Sequence, residues 1–323
     1  MIRRAWVALL ASACGGDDKP PPVGAQVGPA LVAALAAADQ TRLPWRCVAP
    51  DGPQHPELTL TIGDATWKLS GHGMRREGKP RRPTVIGAIA DAGGAAPTTL
   101  AALGRLKTKL ANADLVLALG GMGATQAELE ATLGAIAQQA PYPVVALPGD
   151  LEPAPALTAA VAALRARGMY VVDGRLLRHI DVPGATIALV PGGGATGRRV
   201  AGTEGCAYQA RDVTGLFVEL TGKDGIRIVA SAEAPRVTVG GEASGELALT
   251  PNAGQEIDVV LHGPTTESAT RARAGARDGG AATVTPGTAD ATLRLPGPLR
   301  PSTAGLMTIA GGAWSWKSIA DAH

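Results

Sequence analysis

Between residues 84 and 190 the chain alternates continuous apolar runs with segments of helical spacing. Residues 85–90 form an apolar run ending at Asp91, and Leu100, Leu103, Leu106 and Leu110 then recur on one helical face. A second run, 115–119, ends in Gly120-Gly121, and a third, 143–147, ends in Gly149-Asp150. Helical segments at 126–138 and 154–167 fall after these two runs, and 170–172 and 186–190 read as further strands. Runs of this length suit strands buried on both faces, and their alternation with helices predicts an α/β core. Beyond Gly192 the pattern changes, and 213–220, 226–230, 257–261, 305–309 and 314–319 read as strands between Gly-rich turns. Trp314 and Trp316 alternate on the last of these, so both rings face one side, as core packing requires. Upstream, 29–39 is Ala/Leu-rich and helix-like, and 58–62 and 66–69 alternate about Gly63-Asp64 as a hairpin. The basic, Pro-containing stretch 75–83 reads as a solvated linker.

Charge narrows the partners. Lys and Arg number 30 against 28 Asp and Glu, and Arg3 and Arg4 lie in a segment expected to be cleaved away. Their removal leaves a neutral chain, without the basic surplus that a phosphate-neutralising nucleic-acid binder needs. Residues 1–13 have the layout of a secretory signal: a basic start, a seven-residue apolar run from Ala5 to Ala11, then small residues. Ala11-Ser12-Ala13-Cys14 resembles a lipobox, with Ala11 where Leu is usual, and implies lipidation at Cys14 and a membrane anchor. The polar Gly- and Pro-rich segment that follows, 14–28, suits a tether. Cleavage near Ala13 without lipidation is the alternative; either way the chain is expected to be exported to the cell envelope. In an oxidising compartment Cys47 and Cys206 become an even pair and a candidate disulfide, two separate buried thiols being the alternative.

The order strand-Asp91, helix, strand-Gly120-Gly121, helix, Pro143-Val-Val-Ala-Leu-Pro-Gly-Asp150 resembles the calcineurin-like metallophosphoesterases. The late Thr283-Val-Thr-Pro-Gly-Thr288 and the two closing strands resemble that family's final turn and hairpin. The resemblance implies an α/β fold, a metallophosphoesterase-like β-sandwich flanked by helices, over residues 83–323. A small N-terminal segment with a helix, a β-hairpin and a linker, 29–82, would precede it.

In that family two metal ions sit at strand ends bearing Asp-x-His, Gly-Asp, Gly-Asn-His, a lone His and Gly-His-x-His, and together they polarise a phosphate and activate water. The matching positions here are Asp91-Ala92-Gly93, Gly120-Gly121, Gly149-Asp150-Leu151, Ser231–Pro235 without His, and Gly263-Pro264-Thr265-Thr266. Gly121 stands where the resemblance places the bridging carboxylate, and Leu151 where it places the catalytic His. None of the five histidines falls on a ligand position; His262 precedes Gly263 and points elsewhere, while His55, His72, His179 and His323 read as solvated.

The pattern therefore points to a pseudoenzyme without catalytic residues, binding an unknown envelope protein partner or serving a structural role. The alternative is a divergent metal-dependent phosphoesterase holding, at most, one divalent cation on Asp91, Asp150 and Glu233, with Glu152 near. The more ordinary reading of these acids is a turn or helix cap at Asp91 and surface carboxylates elsewhere. Residues 191–199 have phosphate-loop spacing, but Arg198 and Arg199 replace the Lys and hydroxyl, which leaves an anion nest or a simple loop.

Overall fold

The structure, a computed structural model, describes residues 47, 55–78, 82–149, 152–194, 205–239, 242–244, 246–250, 255–263, 291–294 and 303–320. All of them belong to the unit Leu43–His323. The expectations for the signal, Cys14, the tether, the 29–39 helix, Asp150, Arg198, Arg199 and 283–288 lie outside the described residues.

In chain order the elements are β1 (His55–Ile62), β2 (Ala65–Gly71), β3 (Gly73–Glu77), β4 (Thr84–Ile89), α1 (Pro97–Lys109), β5 (Leu115–Leu119), α2 (Gln126–Ala137), β6 (Val144–Leu147), α3 (Ala154–Ala166) and β7 (Val171–Asp173). There follow β8 (His179–Val182), β9 (Ala185–Val190), β10 (Gly193–Gly194), β11 (Ala207–Tyr208), α4 (Ala210–Leu220), β12 (Ile226–Ser231), β13 (Val237–Val239), β14 (Glu242–Ser244), β15 (Val259–His262), β16 (Ala291–Arg294), β17 (Thr303–Ala310) and β18 (Ala313–Ala320).

Two sheets carry the fold. One has the order β18-β17-β4-β5-β6-β7 and the other β1-β2-β3-β8-β9-β12-β15-β16. Strands β4 to β7 run parallel, as do β9, β12, β15 and β16. Period two sorts each buried strand between two cores. Leu115, Leu117 and Leu119 face the other sheet and meet Ile187, Leu189, Ile228 and Leu261, while Val116 and Ala118 face outward under Leu103, Leu106, Leu129 and Leu133 of α1 and α2. On the far side Val190, Val229 and Val260 pack under Val213, Leu216 and Phe217 of α4. Helix, sheet, sheet and helix thus stack as four layers, the α/β sandwich flanked by helices that the resemblance implies. Trp314 and the half-buried Trp316 both pack on the core between the sheets.

Four expectations change. Residues 213–220 are a helix: Val213, Leu216, Phe217 and Leu220 repeat at helical spacing, and the Asp212 carboxylate accepts from the Gln209 amide at 2.9 Å to start the turn. The 58–69 hairpin does not stand apart, because β2 continues into β3, which pairs with β8 and so extends the larger sheet. Residues 75–77, expected in a linker, are therefore strand. Their basic character has a partner in Asp114, whose side chain is 2% exposed. Arg76 Nη1 and Arg82 Nη2 approach its Oδ1 at 3.1 and 3.0 Å, and the Val85 amide donates to its Oδ2 at 2.7 Å. One carboxylate on the smaller sheet thereby clamps β3 of the larger one. His55 and His179 also sit on strands, His55 buried, rather than in solvated loops.

Cys47 and Cys206 form a disulfide with Cα atoms 5.6 Å apart, and the Cys47 amide donates to Ala207 O at 3.1 Å. Closing so long a loop stabilises by roughly 2–4 kcal/mol. Tyr142, buried beside Val144, has no hydrogen-bond partner for its hydroxyl among the described residues, and burial pushes that phenol well above its ordinary range. Removing an unsatisfied buried hydroxyl relieves its desolvation penalty. Tyr142→Phe is accordingly expected to raise stability by up to about 1 kcal/mol, read as a higher urea midpoint.

Candidate functional site

Ligands of open α/β sheets bind beyond the carboxyl ends of the parallel strands. Those ends converge here. Asp91 follows β4, Gly120 and Gly121 follow β5, Gly149 follows β6, Gly192 follows β9, Ala232 follows β12 and Gly263 follows β15. Their backbones are sewn together: the Asp91 amide donates to Gly120 O at 2.7 Å, Gly93 to Gly121 O at 2.9 Å, Gly120 to Leu147 O at 2.8 Å, and Gly192 to Pro148 O at 2.7 Å.

The approach is close because the side chains are small or missing. Gly121 has φ 68°, and a Cβ built there would stand 2.5 Å from Asp91 Cα and 2.6 Å from Asp91 Oδ1. Asp91 itself has φ 55°, a left-handed conformation uncommon outside glycine that costs about 1–3 kcal/mol. At Gly120 a Cβ would meet Ala232 Cβ at 2.7 Å, and at Gly263 it would meet Ala232 O at 2.6 Å and Leu119 O at 2.9 Å. At Gly121 the ground that a side chain would occupy is filled by Asp91.

Glu152, 1% exposed, sits beneath these loops. Its Oε1 accepts from the Met122 amide at 2.7 Å and its Oε2 from the Gly149 amide at 2.8 Å. Glu233 is turned to other work. Its Oε2 accepts from Tyr208 Oη at 2.7 Å and from the Gly194 amide at 2.9 Å. A Cβ at Gly194 would stand 2.7 Å from a Glu246 carboxylate oxygen, so two carboxylates flank β10 at the start of the 191–199 loop. His262 is fully buried, its Nδ1 2.8 Å from Gly263 O, on the face of β15 that carries Val260.

These residues do not fit a dinuclear metal centre. Such a centre needs convergent carboxylate and imidazole donors, and Gly121, where the resemblance would place the bridging carboxylate, has no room for a side chain. Among the described residues no group of three or more His, Cys, Asp or Glu side chains stands together as a metal-holding set. The Glu233 carboxylate is engaged as described, and Asp150 lies outside the described residues. The part played by Glu152 as a buried acceptor of backbone donors was not legible in the sequence. Its only signal was an acid three residues after Gly149, immediately before Pro153.

No protein-family model matches this chain, and no curated protein does. Among solved structures, TT1561 of Thermus thermophilus aligns over 73% of this chain and 98% of its own, with 16% sequence identity and a TM-score of 0.50. The purple acid phosphatase PPD1 from yellow lupin (Lupinus luteus) seeds aligns over 62% of this chain and 42% of its own, with 12% identity and a TM-score of 0.37. At 16% identity the similarity to TT1561 is one of fold.

Proposed function

We propose that this chain is an exported, lipid-anchored protein whose metallophosphoesterase-like domain no longer performs metal chemistry and serves as a non-catalytic binding or structural component of the cell envelope. The observation that carries the reading is the contact of Gly121 with Asp91: the position of the bridging carboxylate is held by a glycine that main chain overlies. A bridging ligand cannot be regained there without moving the β4 loop, which hydrogen bonds to Gly120 and Gly121 hold in place. Export and the lipid anchor at Cys14 rest on the signal-like start and the lipobox-like tetrapeptide. The neutral charge balance favours a protein partner over nucleic acid.

The test is metal content. The full chain, purified without chelator and loaded with manganese, is expected to retain far less than one ion per chain by elemental analysis. One or more tightly held ions per chain would overturn the reading and point to the reduced carboxylate site of a divergent hydrolase.

A further inference from the structure

A catalytic metal centre is a cation surrounded by acceptors, and the loops here display the reverse arrangement. The amides of Met122, after β5, and Gly149, after β6, each donate to one oxygen of a single buried carboxylate, that of Glu152. We propose that this pair of amides is an anion-receiving site for a carboxylate group, and that the protein fills it permanently with its own Glu152.

Three observations support this. Each oxygen of one carboxylate takes a backbone donor from a different loop, at 2.7 and 2.8 Å. The carboxylate is shielded from water, so it draws its stabilisation from these donors and not from solvent. The packing around Gly149 also leaves little slack: a Cβ there would stand 3.3 Å from Glu152 Oε2 and 3.2 Å from Ala232 Cβ. The pocket is therefore shaped to its occupant. Glu152 joins the β5 loop to the β6 loop, a cross-link that in a metal-holding site the cation would supply. This inference deepens the reading of the centre as closed: an external phosphate or carboxylate finds the donors already engaged.

The test is chemical rescue. Glu152→Ala of the full chain empties the pocket while leaving both amides in place. Its thermal midpoint is expected to fall by several degrees and then to rise saturably with sodium formate, but not with sodium chloride at equal ionic strength. The wild-type chain is expected to respond alike to both salts. Equal responses of the variant to formate and chloride would overturn the proposal. Should Glu152→Ala fail to fold, Glu152→Gln keeps the shape and removes the charge, and its amide group presents a donor to one of the two backbone donors. Exchange of the Met122 or Gly149 amide is then expected to accelerate at least tenfold, and unchanged protection of both amides would overturn the proposal. Manganese uptake by the wild type would sink the closed-scaffold reading, while formate rescue is judged separately.

Discussion

Gly121→Asp, which places a carboxylate where the resemblance would put the bridging ligand, is expected to bind no manganese and to lose about 3–5 kcal/mol of stability. The new Cβ would fall 2.5 Å from Asp91 Cα, so main chain has to move, and main chain cannot swing aside as the tip of a long side chain can. Retreat of Asp91 breaks its 2.7 Å bond to Gly120 O and strains the 2.9 Å bond from Gly93 to Gly121 O. A left-handed φ at position 121 and a second negative charge beside Asp91 add to the cost. Gly121→Ala separates bulk from charge and is expected to show most of the same loss in its urea midpoint. If Gly121→Ala proves as stable as the parent, the steric account is wrong. Manganese bound by Gly121→Asp would show instead that the centre remains a metal site lacking a single ligand.

Asp114→Ala is expected to cost about 3–5 kcal/mol, because it leaves a buried guanidinium without its counter-charge. The side chain of Arg76 is only 12% exposed, and its Nη1 lies 3.1 Å from the carboxylate. The variant also strips the Val85 amide of its 2.7 Å acceptor. Arg82 is half exposed, so Arg82→Ala is expected to cost under about 1 kcal/mol. Replacing Arg76 by Met in the Asp114→Ala background is expected to recover part of the loss, since it removes the stranded charge. Urea midpoints of the three variants check the ordering. An Asp114→Ala loss no larger than that of Arg82→Ala would mean that the clamp between the sheets contributes little.

The layered core was legible because its strands are buried on both faces. Leu115 to Leu119 and Val144 to Leu147 are apolar at every position, which is unambiguous when flanked by helix-spaced segments. Strands β3 and β8 were not legible, since Gly-Met-Arg-Arg-Glu and His-Ile-Asp-Val carry polar residues whose partners, such as Asp114 for Arg76, are distant in sequence. Helix α4 reads as a strand for a different reason: a short, apolar-rich stretch fits either period until its start is recognised, and the Asp212 to Gln209 bond marks that start. At the candidate site, the residues standing where the resemblance places ligands, such as Gly121 and Leu151, could be read position by position. The closing of the loops over one another could not, because the proximity of Gly120 to Ala232 and of Gly263 to Leu119 arises only when strands of both sheets bring their ends together.

The place of β17 in the smaller sheet has a consequence in time. It lies between β18 and β4, with Ile309 opposite Thr84 and Gly305 opposite Ala88, so the first strand of that sheet waits for a segment remote from it in sequence. A nascent chain emerging from the ribosome presents β4 with one edge unpaired until residues 303–310 have followed it. Pairings between such remote segments are slow to form, and unpaired edges invite contact with other chains meanwhile. The smaller sheet is therefore closed only once residues 303–310 are present, and a chain that stops before residue 303 is left with an open sheet.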